Sequence, residues 1–247
     1  MRGTGADSSR SWNLFLAPAS TLTPHALPVL VFAVLAGCAI PQTPYRAIYE
    51  DPVNYVRLEL DSSVLPEWSP GHHSHPRTFT PEYVTRILTG LTVQEHRIWL
   101  QKWIQGEAPM VPAFREEEVA LLAPQIAEAF KMAEYNERVT FYLSQPQTSV
   151  KRVITTGGLY IRDAELHVLL GNWQSVYGIP TYGMIYDRRY PMRPTAAKGF
   201  DLFFKPPDAV ITQQSSFLDT LLANEKDELV INIDRLTPTE VAASVLP

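Results

Sequence analysis

Cysteine is nearly absent from this chain, which has 247 residues and the single cysteine Cys38. One cysteine excludes an internal disulfide, so cysteine pairing gives no information about the redox compartment. An excess of positive charge is also lacking, because 21 Lys and Arg residues stand against 26 Asp and Glu residues. The resulting net charge of −5 argues against nucleic-acid binding, which requires a clearly basic surface.

Catalytic signatures are lacking as well. The sequence contains no G-x-S-x-G, no H-E-x-x-H and no dinucleotide-binding fingerprint. Its composition, with 45% hydrophobic and 19% charged residues, is that of an ordinary globular protein. We therefore expect no cofactor, and the sequence favours binding over catalysis.

A mostly apolar stretch at residues 27–37 ends directly before Cys38, and Arg2 and Arg10 lie upstream of it. It has about the length of a signal-peptide core and falls short of the ~20 residues of a membrane-spanning helix. The residues alone also allow an uncleaved anchor or a buried thiol in a core segment. The prolines at 18, 24 and 28 argue against one continuous helix.

The four residues Leu35, Ala36, Gly37 and Cys38 resemble the cleavage box of bacterial lipoproteins. The resemblance implies that residues 1–37 are a signal peptide and that Cys38 carries lipid on its sulfur and its new N-terminus. Several acyl chains together anchor a protein stably. Because Ala39 rather than an acidic residue follows, the resemblance also implies an outer-membrane location on the periplasmic side.

After Cys38 we expect a lipidated N-terminus and extended tether at residues 38–50, then a single extracytoplasmic domain at residues 51–247. Alternation at residues 53–61 predicts a half-buried strand. Thr80-Pro81 predicts a helix start, and residues 114–133 have helical period with a kink or division at Ala123, before Pro124. Trp99 and Trp103 favour a helix in the ambiguous segment 95–105.

After residues 114–133, the apolar residues recur at every second position. The segments "RVTFYLS", "KRVITTGGLYIR" and "ELHVLLGN" predict an antiparallel meander, with a tight hairpin turn at Gly157-Gly158 and a further turn at Asp163-Ala164. "FDLFF" and "LVINI" predict two more strands. The expected fold is α+β: an antiparallel β meander with two or three helices of the N-terminal half packed on it.

Two segments carry candidate binding chemistry. "GHHSHP" contains His72, His73 and His75; we predict an exposed loop there, with a Zn²⁺ or Cu²⁺ site as the alternative. Residues 186–200 contain a basic patch among aromatic residues, and its cations are Arg188, Arg189, Arg193 and Lys198. This patch is suited to anionic headgroups or sugar phosphates, and the alternative is a solvated loop whose arginines pair with carboxylates.

These observations favour a lipid-anchored cell-envelope protein that works by binding or scaffolding. Its expected partners are the membrane, through lipidated Cys38, and an envelope protein. The alternatives are an envelope hydrolase with a carboxylate or histidine site, and a metal-binding lipoprotein that uses the loop at residues 72–75.

Overall fold

The computed structural model describes residues 43–148, 151–178, 189–211 and 228–236. Residues 1–37, which we predict to be a signal peptide, lie outside these ranges, as do Cys38, Arg188 and the residues after Leu236. The helices and strands are β1 (Tyr45–Glu50), β2 (Tyr55–Leu60), α1 (Pro81–Gly90), β3 (Leu91–Glu95), α2 (Trp99–Gln105), β4 (Met110–Pro112), α3 (Glu116–Met132), β5 (Glu137–Thr148), β6 (Lys151–Arg162), β7 (Glu165–Gly178), β8 (Phe200–Phe204) and β9 (Glu228–Asn232). The predicted α+β fold, with its helices in the N-terminal half, is confirmed.

Six strands form an antiparallel sheet in the order β1-β2-β5-β6-β7-β9. The start of β1, the end of β2 and the start of β5 lie together, because Tyr45 pairs with Glu59 and Leu60 pairs with Glu137. We call this the entry end of the sheet. The opposite end, where β5 finishes and β6 begins at Lys151, is the far end.

Helices α1 and α3 pack against each other on one face of the sheet. The N-cap residue of α3, Arg115, hydrogen-bonds Gln145 near the far end, and the carbonyl of Met132 accepts a 2.9 Å bond from Arg46 of β1 at the entry end. Helix α3 therefore runs along the sheet from the far end to the entry end. The core between helices and sheet includes Val84, Ile87, Leu88, Leu122, Ile126, Phe130, Val56, Leu58, Phe141, Leu159, Ile161, Leu166 and Val168.

Several local predictions are confirmed. The Thr80 hydroxyl oxygen accepts a 3.2 Å hydrogen bond from the Tyr83 N–H at the start of α1, and Pro81 stands at the first helical position. Segment 95–105 contains the helix α2, and the two late strands form β8 and β9. The turn at Asp163 is present, with a φ of 54°.

The predicted turn at Gly157-Gly158 is wrong, because β6 runs through both residues. A Cβ atom on Gly157 would overlap the carbonyl oxygen of Leu169, and one on Gly158 would lie 2.7 Å from Sδ of Met192. These glycines therefore permit the close approach of neighbouring backbone and side chains rather than a reversal of the chain.

Two further predictions require correction. Helix α3 is not divided at Ala123, and Pro124 lies inside it with an exposed side chain while Leu122 and Ile126 are buried. Residues 45–50, assigned to the tether, form the edge strand β1, which shows little apolar alternation because its side chains are exposed or half-buried.

A smaller antiparallel sheet has the order β4-β3-β8, and α2 lies in the connection between β3 and β4. Residues of β3 and β8 such as Val93 and Phe204 join the core. Within the ranges described above, no helix has both the length and the apolar character needed to cross a bilayer.

Candidate functional site

The histidine loop is folded into the entry end of the sheet, so its predicted exposure is wrong for two of its three rings. His73 is 3% exposed and His75 is 9% exposed. The backbone N–H of Ile161 donates a 3.1 Å hydrogen bond to Nε2 of His75, and Ser74 N–H donates to the carbonyl of Ile161. His72 is half-buried, with its ring centroid 4.3 Å from that of Tyr135. The loop thus extends the hydrogen bonding of β6.

Asp61 fixes the ring of His73. Nε2 of His73 donates to Oδ2 of Asp61 over 3.1 Å, and Arg138 donates to Oδ1 over 2.8 Å. Burial alone would raise the pKa of Asp61, but the His73 hydrogen bond and the Arg138 charge outweigh it, and the pKa falls well below its usual range. Asp61 is therefore an ionised carboxylate that accepts hydrogen bonds from His73, Arg138 and Ser63.

Three rings form a column that includes His73, in which the Tyr160 ring is stacked on that of His167 and tilted by 38° to that of His73. The ring of Tyr160 lies between those of His73 and His167, with centroid distances of 4.5 and 4.4 Å. At the other end of the column, Nδ1 of His167 donates to Glu228 over 2.8 Å. His167 itself lies on β7 and is buried. The three rings pack against one another, so the evident role of the column is structural.

The arrangement does not assemble a metal-ligand set among the described residues. The centroids of the His73 and His75 rings are 5.4 Å apart, but no group of three or more His, Cys, Asp or Glu side chains in the described ranges is placed to hold a metal ion. Sequence reasoning missed the partners of His73, because Asp61 and Tyr160 are distant from it along the chain.

The basic segment crosses the face of the sheet opposite the helices. Thr156 Oγ1 hydrogen-bonds the carbonyl of Pro191, and the side chain of Asn172 bonds the carbonyl of Arg193 over 3.0 Å. The Arg193 guanidinium lies 4.6 Å from the ring centroid of Tyr190, and it has no ion pair within the described part of the chain. This cation is therefore stacked on an aromatic ring rather than neutralised by a carboxylate.

Of the described cations of the predicted patch, Arg189 and Arg193 lie beside the same Tyr190 ring, whereas Lys198 lies apart from them. Arg193 lines a small cleft at the entry end, of about 150 Å³, together with Thr43, Glu59, Leu60, Ser62, Arg138, Tyr190, Pro191 and Met192. We call this the entry cleft. Burial raises the pKa of the Glu59 carboxyl there. Arg189 lies 5.9 Å from the Tyr190 ring centroid, whereas Lys198 lies 5.1 Å from the Phe200 centroid and lines a different depression.

Helix α2 presents an apolar surface that the sequence analysis did not single out. All seven residues of α2 are exposed, including Trp99 at 78% and Trp103 at 81%. The exposed apolar side chains are those of Ile98, Trp99, Leu100, Trp103 and Ile104, and we call them the α2 surface. In a buried helix this spacing would form the core-facing stripe. Here the stripe faces outward and leaves these apolar side chains exposed to solvent.

Contacts at its ends hold α2 in place. Nη1 of Arg97 donates to the carbonyls of Gln105 and Gly106, over 3.2 and 3.0 Å. Gly106 ends the helix with a φ of 73°, and Lys102 pairs with Glu107 over 3.2 Å. Helices this short are marginal in isolation, so these contacts keep the apolar face presented without burying it.

A larger cleft adjoins the connection that carries α2. Its volume is about 470 Å³, and its lining consists of Glu95, Ala108, Pro109, Val111, Pro112, Phe114, Arg115, Glu116, Trp173 and Gln174. Both ends of the connection, Glu95 and Ala108, line this cleft, and Trp173 Nε1 is fixed by a 3.0 Å bond to the carbonyl of Ala113. We call it the apolar cleft.

The chain matches no protein-family model, and neither the curated proteins nor the solved structures include one with significant similarity to it.

Proposed function

We propose that this chain is a lipid-anchored cell-envelope protein whose α+β domain works by binding a protein partner through the α2 surface and the apolar cleft. The observation that carries the proposal is the exposure of Trp99 and Trp103 on a helix with no buried residue. Each Trp side chain offers roughly 150–250 Å² of contact area, so two of them with three aliphatic neighbours form an unusually large apolar patch.

The lipid anchor in this proposal rests on the resemblance of residues 35–38 to the lipoprotein cleavage box. The position of Thr43 indicates which end of the domain this anchor would hold, because Thr43 lines the entry cleft and follows Cys38 by five residues. An extended chain of that length spans at most about 18 Å. The entry end would therefore stay near the membrane, on the periplasmic side of the outer membrane.

Binding is preferred over catalysis because of where the polar groups lie. The carboxylates and imidazoles of Asp61, His73, His167 and Glu228 are engaged with one another and with Tyr160 inside a packed column. The apolar cleft, by contrast, is lined mainly by proline, aliphatic and aromatic side chains. Such a lining suits the anchor side chains of a partner.

Replacement of the lipidated cysteine tests the anchor. The intact mass of the mature protein should correspond to cleavage before Cys38 plus acyl groups. Cys38→Ser should release the domain from membranes, because the acyl chains would be lost. A mature protein with an unmodified Cys38 thiol, or a Cys38→Ser protein that stays membrane-bound, would refute this part of the proposal.

Affinity purification from native membranes, with the anchor intact, tests the binding surface. Trp99→Ser with Trp103→Ser should lose a co-purifying protein that the wild type retains, because central Trp side chains dominate binding energy. The matched control is Trp68→Ser, which removes a tryptophan that is 62% exposed in a loop away from α2. Equal recovery of every partner with all three proteins would exclude the α2 surface.

A further inference from the structure

We infer that the occupant of the α2 surface and the apolar cleft is a positively charged, apolar polypeptide segment of another envelope protein, held away from the anchoring membrane. This inference rests on the function proposed above and specifies the chemistry of the partner. Three observations carry it: the distance of the apolar cleft from Thr43, the charge of that cleft, and its apolar lining.

The first observation is distance. Thr43 precedes β1 at the entry end, whereas the apolar cleft is lined by Arg115 and Glu116 at the start of α3 and by Trp173 of β7. Helix α3 spans about 25 Å, and the four strand spacings from β1 to β7 add about 19 Å across the sheet. The two sites are thus about 30 Å apart on a diagonal.

This separation argues against lipid as the occupant. Five residues of extended chain span at most about 18 Å, so a lipid on Cys38 would hold Thr43 and the entry end close to the bilayer. With the Arg193 side of the entry cleft turned toward headgroups, the apolar cleft lies about 30 Å along the sheet from that side. A protein standing beside or above the domain fits that position better than the anchoring leaflet does.

The second observation is charge. The carboxylates of Glu95 and Glu116 both line the apolar cleft, and neither has an ion-pair partner among the residues that the structure describes. The cation in the cleft lining, Arg115, is engaged by Gln145 and lies 3.8 Å from Glu117. A partner that brings a lysine or arginine would therefore meet two carboxylates with no competing ion pair.

The third observation is the apolar lining. The side chains of Pro109, Val111, Phe114 and Trp173 surround about 470 Å³ of open space. That volume accommodates one or two large side chains, which is how the central anchors of an interface are normally held. Together with Trp99 and Trp103 outside the cleft, the lining selects a segment in which apolar side chains flank a cation.

Photo-crosslinking in the native host identifies the occupant. The probe is the full chain with Trp103→p-benzoylphenylalanine, and the control carries the same substitution at Trp68. Mass spectrometry of the crosslinked peptides should identify a segment of another envelope protein with a lysine or arginine within about one helical turn of apolar residues. Crosslinks to lipid alone, to a second copy of this chain, or to a segment without a cation would overturn the inference.

Charge removal then tests recognition directly. A synthetic peptide of the crosslinked segment is titrated against the full lipidated protein in detergent. Glu95→Gln and Glu116→Gln should each weaken binding about 2- to 5-fold, as expected for partly exposed ion pairs. The matched control Glu128→Gln removes an exposed charge of α3 that lies outside the cleft and does not contact Arg115, and it should leave Kd unchanged.

The outcomes separate the inference from the proposed function. If crosslinking at position 103 does not exceed the control at position 68, both fail. If a polypeptide is crosslinked but Glu95→Gln and Glu116→Gln bind its peptide as the wild type does, the inference fails while the proposed function stands.

Discussion

At the scale of single residues, the entry end holds several ionisable side chains that are buried or half-buried. Asp61 is held ionised by His73 and Arg138, and Glu228 is bonded by His167. His75 has no such carboxylate; its Nε2 accepts from the N–H of Ile161, which requires a neutral ring. The fold therefore contains a neutral His75 ring, and we expect acid to destabilise the domain by protonating His75 first.

Stability should fall in mild acid because of His75. Burial, with the neighbouring His73, lowers the pKa of His75 to about 4, whereas the unfolded chain titrates near 6.5. Between these values the unfolded chain binds a proton that the folded protein excludes, so the free energy of unfolding decreases as pH falls. We expect urea denaturation to show a loss of about 2 kcal/mol from this group between pH 7.5 and pH 5.

The variant His75→Gln isolates this contribution. Its amide oxygen can still accept from Ile161 but does not titrate, so the difference between pH 7.5 and pH 5 should shrink by about 2 kcal/mol. His96→Gln is the control, because His96 is half-exposed and paired with Asp201. If His75→Gln keeps the wild-type pH dependence, the buried ring is not the source of the acid sensitivity.

At the scale of secondary-structure elements, the glycines of β6 allow neighbouring parts of the chain to pack closely against this strand. We expect Gly157→Ala to destabilise the protein by about 1–3 kcal/mol, because its Cβ would overlap the Leu169 carbonyl and lie 2.9 Å from Phe141. Gly199→Ala is the matched control, since no atom lies within 4 Å of its Cβ position, and it should change stability by less than about 0.5 kcal/mol. Thermal or urea denaturation of both variants is sufficient, and equal stabilities would contradict the packing argument.

The same elements show which features are readable from the sequence. The helix start at Thr80 and the strands β5, β7, β8 and β9 depend on neighbours within a few residues, and local patterns identify them. The glycines of β6 depend on Met192 and Leu169, and the burial of His73 depends on Asp61 and Tyr160. Those contacts form between distant parts of the chain, so no local pattern encodes them.

The α2 surface could not be predicted from the sequence, for a different reason. The spacing of Trp99 and Trp103 predicts a helix with one apolar face, and this helix exists. The spacing of apolar residues does not indicate whether that face is turned toward the core or toward solvent. Only the placement of α2 in the connection between β3 and β4, stabilised by Arg97, shows that it faces outward.

At the scale of the whole molecule, the entry end and the apolar cleft lie about 30 Å apart on a diagonal of the sheet. The entry end carries Arg193 beside Thr43, and the apolar cleft adjoins the connection that carries the two exposed tryptophans. The anchor proposed at Cys38 would therefore give the domain a direction relative to the membrane. An acyl anchor supplies attachment but leaves rotation free. Basic groups near the anchor would restrict that rotation, because they are attracted to anionic headgroups within about a Debye length.

This orientation is measurable without the anchor. The domain expressed from Pro41, which lacks Cys38, should bind anionic vesicles weakly, and the binding should decline as salt increases. Each basic group at such a surface contributes about 1 kcal/mol, so Arg193→Gln should weaken binding at low salt about fivefold. Lys151→Gln, which removes an exposed cation at the far end, is the matched control and should bind like the wild type.

Two outcomes would show that the entry end does not face the headgroups. One is that the lipid-free domain does not bind anionic vesicles at low salt, and the other is that Lys151→Gln weakens binding as much as Arg193→Gln. The basic segment would then be left as a surface for a protein or a soluble anion.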